Sequence, residues 1–493
     1  MRVAMYCAHL AGRPYQQSLP PLGLGYLIAY TKGRCPSVEF IFCHSEQEVL
    51  ASKADVVAIS SASENFGDAQ RVAASARESL DATIIIGGNH ITALPHRLPR
   101  CFDIAVLGEG ETTFLELIQM LAATRRHAPS DLAKIAGICF RADPPEADKV
   151  VTTAERPQIR DLDSLPYPDR DALGDRWKVP YSRAVHLIAS RGCPYKCAFC
   201  ASGRLWKGYR VFSADYVARE IEHIRSRYNP REIHFFDDLF LGHRARLEQF
   251  CRLADERGLH RGVLLRTHAR ADAINEEVAD MLARYNFHYI DFGIESNNQQ
   301  TLEYLGKHGI TPEINQRAID LLAGRGLSVG VSIIIGSPSE TREQIEETYA
   351  FLEHNRPRID RLSVGLLVPL PGTPVWDEAV RRDLVSEGME WERLGIDSDS
   401  GEIGDAVILS EHLDRAEMAA IFRRFITLAH IVNARGQVRD LTDECGTLRG
   451  ENEWLAGENK QLRQELDTLK GSRAVRLALR VRDIAARFRR PTH

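Results

Sequence analysis

The chain has 493 residues, which is enough for roughly three domains of about 150 residues each. Its 44% hydrophobic and 27% charged residues are typical of globular proteins and exclude an intrinsically disordered chain. The net charge of −5 gives no general attraction to nucleic acid, and no apolar run is long enough to span a membrane. Because the N-terminus also lacks a secretory signal, we expect a cytoplasmic protein without a disulfide framework.

Short β-branched runs alternate with amphipathic helical stretches over residues 1–140. Continuous apolar strands separated by helices are typical of a parallel sheet that is covered on both faces. This region is therefore predicted to be an α/β domain of the Rossmann/flavodoxin-like kind, whose ligands bind where strands end in loops. The predicted strands are Val3–Tyr6, Val38–Phe42, Asp55–Ser60, Thr83–Ile86, Asp103–Leu107 and Lys134–Phe140.

A second alternating series follows a proline-rich segment, residues 141–182, which is predicted to be a connector. Over residues 183–380, six strand–helix units predict a partial (β/α)6 TIM-like barrel. Right-handed crossovers bring the C-terminal ends of all its strands to one mouth, so site residues are expected just after strands. The predicted strands are Ala184–Ala189, Glu232–Phe236, Val263–Arg266, Tyr289–Phe292, Leu327–Ile335 and Arg361–Leu367.

The C-terminal part is predicted to be helical, as an extension over residues 381–430 and a coiled coil over residues 431–471. Leucines seven residues apart, from Leu441 to Leu469, form one seam, and Asn452 and Asn459 lie on the alternate seam with Cys445. Flanking glutamates pair with basic residues in the pattern of a parallel two-stranded coiled coil, which predicts a homodimer. The alternative is a solvated helix that lies on its own domain.

The last segment, residues 472–493, is basic. It has seven arginines and one aspartate between Ser472 and Arg490, and Leu477, Val481, Ile484 and Phe488 form one apolar helical face. A basic amphipathic helix of this kind is suited to an anionic membrane surface, so peripheral contact at the inner membrane is one expectation. A solvated basic terminus is the other.

Three cysteines fall within eight residues: Cys193, Cys197 and Cys200. Soft thiolates suit iron or zinc, and three of them in one short loop can hold three corners of an iron–sulfur cube. A structural zinc site needs four ligands, and no fourth cysteine lies nearby. Three protein ligands imply an open coordination position on the metal, where a small ligand can bind. The alternative is that the three cysteines are unrelated residues of the protein core.

At this loop the sequence resembles the radical S-adenosylmethionine (SAM) enzymes. The resemblance implies a [4Fe-4S] cluster on Cys193, Cys197 and Cys200, with the aromatic Phe199 before the last cysteine. It also implies that SAM binds the unique iron and is reductively cleaved to a 5′-deoxyadenosyl radical. An electron donor of the flavodoxin or ferredoxin type is the partner that such a reaction implies.

Further segments resemble the SAM-binding elements of that family, in order and position. Asp237 and Asp238 after the second strand correspond to acidic residues near the methionyl amine, and Glu295 and Ser296 to the ribose-contacting segment. Gly336 belongs to the segment 334–340, which ends the fifth strand and resembles the segment that packs against adenine in the family. Taken alone, the aspartates could be a helix cap and Gly336 a turn. Arg266, His268 and Arg270 follow or end the third strand and are candidates for substrate contact or for surface pairing.

The first domain resembles the cobalamin-binding domain that precedes this barrel in one radical SAM subclass. The resemblance implies cobalamin contacts at Ser60, Ser61, Gly87, Gly88, Gly108 and Glu109. The Asp-x-His-x-x-Gly loop that ligates cobalt in other cobalamin domains is absent from the sequence, so His44 and His90 are not expected to be ligands. Cobalamin is then bound without a protein histidine, or the domain has lost it.

Together these features predict a cobalamin-dependent radical SAM methyltransferase that acts on an unactivated carbon of a small-molecule, lipid or glycan-related substrate. The alternative is a radical SAM enzyme of cyclisation, rearrangement or oxidation without methyl transfer. A methylthiotransferase is disfavoured because the remaining N-terminal cysteines do not form a second cluster set. A hypothesis from a different functional class is a dimeric scaffold protein with a degenerate barrel. The intact cysteine loop argues against it.

Overall fold

The computed structural model describes residues 1–10, 19–124, 128–142, 149–174, 184–395 and 400–471. Residues Met1–Val432 form one compact unit, and Asn433–His493 form a second. Among the described helices, none combines the length and the apolarity needed to cross a membrane. The predicted basic tail, residues 472–493, lies outside the described residues.

Within the described residues, the first sheet has seven strands in the order β2-β1-β3-β4-β5-β6-β7. Its strands are β1 Arg2–Cys7, β2 Glu39–Cys43, β3 Val56–Ser60, β4 Thr83–Gly87, β5 Ile104–Val106, β6 Ile138–Arg141 and β7 Val150–Thr152. Its helices are α1 Leu22–Lys32, α2 Glu46–Ala51, α3 Phe66–Ser79, α4 Asn89–Ala93, α5 Glu111–Thr124 and α6 Pro129–Leu132. Buried valine, isoleucine and alanine side chains of the central strands pack on both faces of the sheet.

Two expectations for this region are corrected. The sheet is not parallel throughout, because β6 pairs antiparallel with β5 and β7 pairs antiparallel with β6. The predicted connector is also not strand-free, since Val150–Thr152 adds the edge strand β7. An apolar run has the same pattern in either direction, so its periodicity cannot show which way a strand runs.

The second sheet has six parallel strands among the described residues, in the order β15-β14-β13-β12-β11-β8. They are β8 Ala184–Leu187, β11 Glu232–Phe235, β12 Leu264–Ala269, β13 Phe287–Glu295, β14 Ser328–Ile335 and β15 Arg361–Leu366. A two-stranded antiparallel hairpin, β9 Ser190–Arg191 and β10 Arg210–Val211, follows β8. The helices are α7 Ser202–Leu205, α8 Ala214–Tyr228, α9 Arg244–Arg257, α10 Glu276–Arg284, α11 Gln299–Tyr304, α12 Pro312–Ala323, α13 Arg342–Asn355 and α14 Pro374–Arg381.

Side-chain caps fix where these helices begin, and so how far each loop after a strand extends. Ser213 accepts a hydrogen bond from the Tyr216 backbone N–H at the start of α8. Thr341 and Gln344 form a reciprocal capping box at the start of α13. Caps of this kind make each strand-to-helix loop short and well defined at the mouth of the sheet.

The region predicted as a helical extension, residues 381–430, is largely irregular. Its long helix, α15, begins only at Arg415 and ends at Gly471. Gly401 and Gly404, with φ of 74° and 49°, lie in the left-handed region that a continuous α-helix does not use. The coiled-coil residues therefore belong to a helix, while the seam side chains from Leu441 to Leu469 lie outside the described ones.

Candidate functional site

The cysteine loop lies between β9 and α7, close after the C-terminal end of β8. The Cys200 N–H donates to the Cys197 carbonyl at 3.2 Å, and the Ala198 N–H donates to the Leu305 carbonyl at 2.8 Å. Gly306, with φ of 67°, brings its backbone so near that a Cβ there would lie 3.3 Å from the Ala198 nitrogen. The loop is therefore held against the turn that follows α11.

All three thiols of this loop are half-buried and lie near one another. Burial raises the pKa of Cys193, and the charges of the Cys200 and Cys197 thiolates raise it further. Burial also raises the pKa of Cys197, while the Lys307 and Arg270 cations oppose that rise. Across the described residues, no three His, Cys, Asp or Glu side chains are grouped to hold a metal ion. The loop thus gathers three soft ligands and the Lys307 and Arg270 cations in one place.

The two aspartates after β11 have different surroundings. Asp237 is 3% exposed, and its carboxylate accepts from the Ala189 N–H at 2.8 Å and from the Ser190 hydroxyl at 2.5 Å. Burial raises the pKa of Asp237 to about 6. Asp238 is exposed, accepts from the Ser202 hydroxyl at 2.8 Å, and lies near Cys193. Asp237 therefore holds the strand that leads to the cysteine loop, and Asp238 has the accessible carboxylate.

Glu295 and Ser296 end β13 at an irregularity of the sheet. Glu295 has φ of 62°, and the pairing of β13 with β14 shifts register between Gly293 and Glu295. Its carboxylate accepts from Lys307 Nζ at 3.0 Å, and a Cβ at position 293 would lie 2.0 Å from its Oε1. Ser296 is fully buried beside Thr348. Both side chains are thus used inside the protein, at a bulge of the kind found next to active sites.

The loop after β14 is organised by a buried carboxylate that sequence reasoning did not single out. The Gly336 and Ser337 N–H groups donate to Glu340 Oε2 at 2.8 and 3.2 Å. Glu340 is 1% exposed, and burial raises its pKa to about 7. Gly336 has φ of 88°, a conformation that favours glycine.

Phe199 has a half-buried ring that packs against an apolar core. That core includes residues of β1, β3 and β4 of the first sheet, and also Leu305 and residues of α14. The residue before the last cysteine therefore helps to hold the cysteine loop on this shared core, and neighbouring Ala198 packs on it too.

The second sheet has an inner face, defined as the face opposite its helices, that is unusually polar. His186, His234 and His268 lie on β8, β11 and β12, with adjacent ring centroids 5.0 Å apart. Phe236 contacts all three rings and is 37% exposed, so the face is open rather than filled. Arg266, on β12, lies 4.1 Å over the ring of Tyr289, on β13. These polar residues alternate along their strands with residues of the buried core. That alternation could have identified them from the sequence as residues of one face of the sheet.

Titration on this inner face is suppressed by burial and by Arg266. Burial lowers the pKa of His186 to about 4, and it lowers the pKa of His234 further with help from the Arg266 charge. Neutral imidazoles each offer one donor and one acceptor nitrogen. His234 Nε2 is buried without a hydrogen-bond partner among the described residues.

Of the three residues proposed for substrate contact, Arg270 is engaged elsewhere. It is 5% exposed, lies 3.8 Å over the Tyr195 ring of the cysteine loop, and is ion-paired with Asp272 at 3.0 Å. Arg266 and His268 are on the inner face, as a substrate contact requires.

Five of the six residues predicted to contact cobalamin line one cavity of about 160 Å³ in the first domain, and Trp206 also lines it. Those five are Ser60, Gly87, Gly88, Gly108 and Glu109. Gly88 has φ of 105°, and a Cβ there would lie 2.3 Å from the carbonyl oxygen of the sixth, Ser61. The Ser61 hydroxyl is buried and has no hydrogen-bond partner in the described part of the chain.

His90 is a core residue. It is 1% exposed, its Nδ1 lies 3.1 Å from the Ser63 hydroxyl, and its ring is 3.8 Å from that of Phe66. Burial lowers the pKa of His90 to about 4.

The fold and this site together define an α/β enzyme with a three-cysteine loop at the mouth of one parallel sheet and a glycine-lined pocket in another. The Radical SAM superfamily profile matches residues 187–352, and the B12 binding domain profile matches residues 9–118. An uncharacterized methyltransferase of Pyrococcus horikoshii is 31% identical over 390 residues, which cover 76% of this chain and 81% of that protein. The chain belongs to the radical SAM enzymes with a B12-binding domain.

Other similarities agree with that membership. An anaerobic magnesium-protoporphyrin IX monomethyl ester cyclase of Rubrivivax gelatinosus is 28% identical over 390 residues, covering 75% of this chain and 68% of that protein. The structure of the radical SAM methyltransferase TsrM from Kitasatospora setae has a TM-score of 0.65 at 17% identity, covering 86% and 90% of the two chains. That likeness establishes the fold. The cofactors of the family are a [4Fe-4S] cluster, SAM and cobalamin.

Proposed function

We propose that the protein is a cobalamin-dependent methyltransferase that uses radical chemistry to methylate an unactivated carbon. The observation that carries this proposal is that the cysteine loop and the glycine-lined cavity belong to one compact unit, Met1–Val432. The named methyltransferase among the relatives supports it. The bound cofactors supply the one-electron cleavage of SAM and the transferred methyl group, which side chains alone cannot do.

Cys193, Cys197 and Cys200 are proposed to hold the cluster. Their thiols are half-buried and near one another, and Lys307 and Arg270 favour the thiolate form of Cys197. Thiolate ligands suit iron, and three of them leave one iron for SAM. Phe199 would fix the loop by packing on the apolar core shared by the first sheet, Leu305 and α14.

The SAM site is proposed to lie between the cysteine loop and the ends of β11, β13 and β14. Asp238 has the accessible carboxylate for the methionyl amine, while Asp237 holds the preceding strand in place. Glu295 and Ser296 are engaged with Lys307 and Thr348, so their role is to shape the loop that passes the ribose. Gly336 would present a flat backbone surface to adenine.

Cobalamin is proposed to occupy the cavity lined by Ser60, Gly87, Gly88, Gly108 and Glu109. The close approach of Gly88 to Ser61 leaves a surface without side chains, and Ser61 keeps a buried hydroxyl for a polar group. His90 is committed to Ser63 and Phe66, which supports cobalt binding without a protein histidine.

The substrate is proposed to bind on the inner face of the second sheet. Phe236 and the histidine rings form an open aromatic surface, and Arg266 and His234 have nitrogen atoms that are buried without a partner among the described residues. This surface suits a small molecule, or a lipid or glycan headgroup, with unsaturated and polar parts.

A second candidate is a radical SAM enzyme of cyclisation, rearrangement or oxidation without methyl transfer. The similarity to a protein named as a cyclase favours it. The cysteine loop and the inner face suit both reactions, so only the fate of the methyl group separates them.

One experiment tests both. The protein would be reconstituted anaerobically with iron, sulfide and hydroxocobalamin, then incubated with a reductant and methyl-labelled SAM. Production of both 5′-deoxyadenosine and S-adenosylhomocysteine, with label on the corrinoid, supports the methyltransferase. 5′-Deoxyadenosine alone supports the second candidate. If neither product forms on a protein that holds iron, the radical SAM assignment of the cysteine loop is wrong.

The C-terminal helix is proposed to make a parallel homodimer, and the basic tail to touch an anionic membrane surface. Light scattering on the full chain and on a chain ending at Val432 tests the first, since only the full chain should be dimeric. Binding to anionic liposomes by the full chain and by a chain ending at Lys470 tests the second. Equal binding by both would dismiss the membrane role, which concerns residues outside the described ones.

A further inference from the structure

Four charged side chains join the loop and helix start after β5 of the first sheet to the two-stranded β9–β10 sheet, next to both proposed cofactor sites. Arg191 donates to Glu111 at 2.6 Å and to Glu109 at 3.3 Å. Arg210 donates to the same Glu109 carboxylate at 2.6 and 3.2 Å. Arg191, Glu109 and Glu111 have side chains that are only 6%, 9% and 3% exposed. We call these four residues the inter-sheet ion cluster.

The charges of the cluster balance only while the β9–β10 pair stays against the loop and helix start after β5. Arg191 and Arg210 are direct cross-strand partners in the β9–β10 hairpin, so their like charges repel one another. Glu109 and Glu111 of the first domain neutralise them, and both glutamates are held on the loop and helix start after β5. A buried charge that loses its partner is strongly unfavourable, so this cluster penalises displacement of the β9–β10 pair, and of the cysteine loop that follows β9, from the first domain.

The inter-sheet ion cluster adjoins both proposed cofactor sites, through Arg191 on one side and Glu109 on the other. Arg191 precedes Gly192, where φ is 77° and a Cβ would lie 2.0 Å from the Gly208 carbonyl, and Cys193 comes next. On the other side, Glu109 and its neighbour Gly108 line the proposed cobalamin cavity, together with Trp206 from beyond the cysteine loop.

We propose that Arg191 is a positioning residue. It couples the occupancy of the cobalamin cavity to the retention of the iron–sulfur cluster by the cysteine loop. The inference rests on the proposed function. Corrinoid in the cavity restricts the loop that carries Glu109, Glu111 is ordered with it, and Arg191 transmits that restriction to Cys193. By linkage, iron bound at the loop strengthens corrinoid binding by the same factor.

Iron release measures this coupling without any need for substrate. The reconstituted full-length protein, with and without hydroxocobalamin, is mixed with an iron chelator, and the rate of iron loss is followed. We expect cobalamin to slow iron loss from the wild type by roughly fivefold or more, the size of a typical coupling between sites. In Arg191→Met and Glu111→Gln the two rates should become equal while both cofactors still bind. Arg191→Lys should keep part of the effect.

The chain has a matched control for general destabilisation. Arg170 and Glu220 form another buried ion pair at 2.6 Å, with side chains 7% and 0% exposed, which does not involve the cysteine loop or the cavity. Glu220→Gln should lower the melting temperature as Glu111→Gln does, yet keep the cobalamin effect on iron loss. The electron paramagnetic resonance spectrum of the reduced cluster with cobalamin present should change in Glu111→Gln and not in Glu220→Gln.

The outcomes separate this inference from the function on which it rests. Failure of the wild type to hold iron or corrinoid would overturn the proposed function. If both bind but cobalamin leaves iron loss unchanged, or if Arg191→Met keeps the full protection, the coupling role of Arg191 is wrong and the proposed function stands.

Discussion

The two sheets offer their ligands different kinds of surface. At the ligand edge of the first sheet the surface is backbone: Gly88 approaches Ser61 so closely that no side chain fits between them. On the inner face of the second sheet the surface is side chains, with three histidine rings and Arg266 in contact range of one another or of Phe236 and Tyr289. The first sheet therefore presents backbone to the cobalamin proposed there, and the second presents polar and aromatic side chains to the proposed substrate.

This difference teaches where each region is vulnerable. A backbone cradle tolerates little added volume but few of its side chains carry function, whereas a side-chain surface tolerates shape change and depends on particular atoms. Substitutions that add a single carbon should therefore damage the first sheet, and substitutions that remove a single polar atom should damage the mouth of the second.

Replacing Cys197 with alanine should give the largest effect. The loop would lose one of its thiols, so we expect iron content after reconstitution to fall to background and 5′-deoxyadenosine production to stop. Cys251→Ala is the control, because that thiol is buried on α9 away from the loop and should cost only about 1 kcal/mol of stability. Iron and sulfide analysis checks both. If the Cys197 variant still binds iron in full, Cys197 is not a ligand and the proposed cluster site at the mouth of the second sheet is wrong.

Gly88→Ala should give the next largest effect, through volume alone. Its Cβ would lie 2.3 Å from the Ser61 carbonyl oxygen at a φ of 105°, so we expect a loss of about 4 kcal/mol of unfolding free energy and of corrinoid retention. Gly108→Ala is matched, since φ there is 76° and the Cβ meets open space; it should cost about 1 kcal/mol. Urea denaturation measures both, and equal costs would refute the close-approach explanation.

The sequence was most informative where chemistry is local. The cysteine spacing, the glycine pairs and most strand positions could be predicted, because each depends on residues adjacent in the chain. Five predicted cavity residues do come together, which follows from strand ends meeting at one edge of a sheet.

What could not be predicted depends on residues distant in the chain. The Glu111–Arg191 ion pair joins residues 80 positions apart, and nothing in either neighbourhood specifies its partner. The hydrogen bonds from the Ala189 N–H and the Ser190 hydroxyl to Asp237 also join residues 48 and 47 positions apart, and the sequence did not indicate them. Strand β6 was predicted but its antiparallel direction was not, and β7 was not predicted, because the direction of a short strand is set by packing and by its connection.

Glu340 permits a test at the mouth of the second sheet that depends on pH. Burial raises its pKa from 4.5 to about 7, so the folded state favours the protonated form. That contribution to stability is fully present below pH 4.5 and is lost as pH rises through 7. Glu340→Gln keeps an acceptor for Gly336 and removes the titration. The difference in unfolding free energy between the variant and the wild type should therefore shift by about 3 kcal/mol in favour of the variant as pH rises from 4.5 to 8.

The control for this prediction is Glu313→Gln, an exposed glutamate at the start of α12. Its difference from the wild type should change little over the same pH range. A Glu340→Gln difference that is flat with pH would mean that the carboxylate is ionised when folded, and the mouth would then carry one more negative charge.

Ser61 gives the smallest effect and the sharpest comparison, because its buried hydroxyl lies beside the close approach of Gly88. Its hydroxyl is buried and has no partner among the described residues, so Ser61→Ala should leave unfolding free energy nearly unchanged. Corrinoid affinity should fall by roughly fivefold, the value of one neutral hydrogen bond of about 1 kcal/mol. Ser63→Ala is the counterpart: its hydroxyl is 3.1 Å from His90 Nδ1, so stability should fall by about 1 kcal/mol with corrinoid affinity retained. Hydroxocobalamin titration and urea denaturation measure the two quantities separately, and a reversed pattern would place the ligand beside Ser63 rather than beside Ser61.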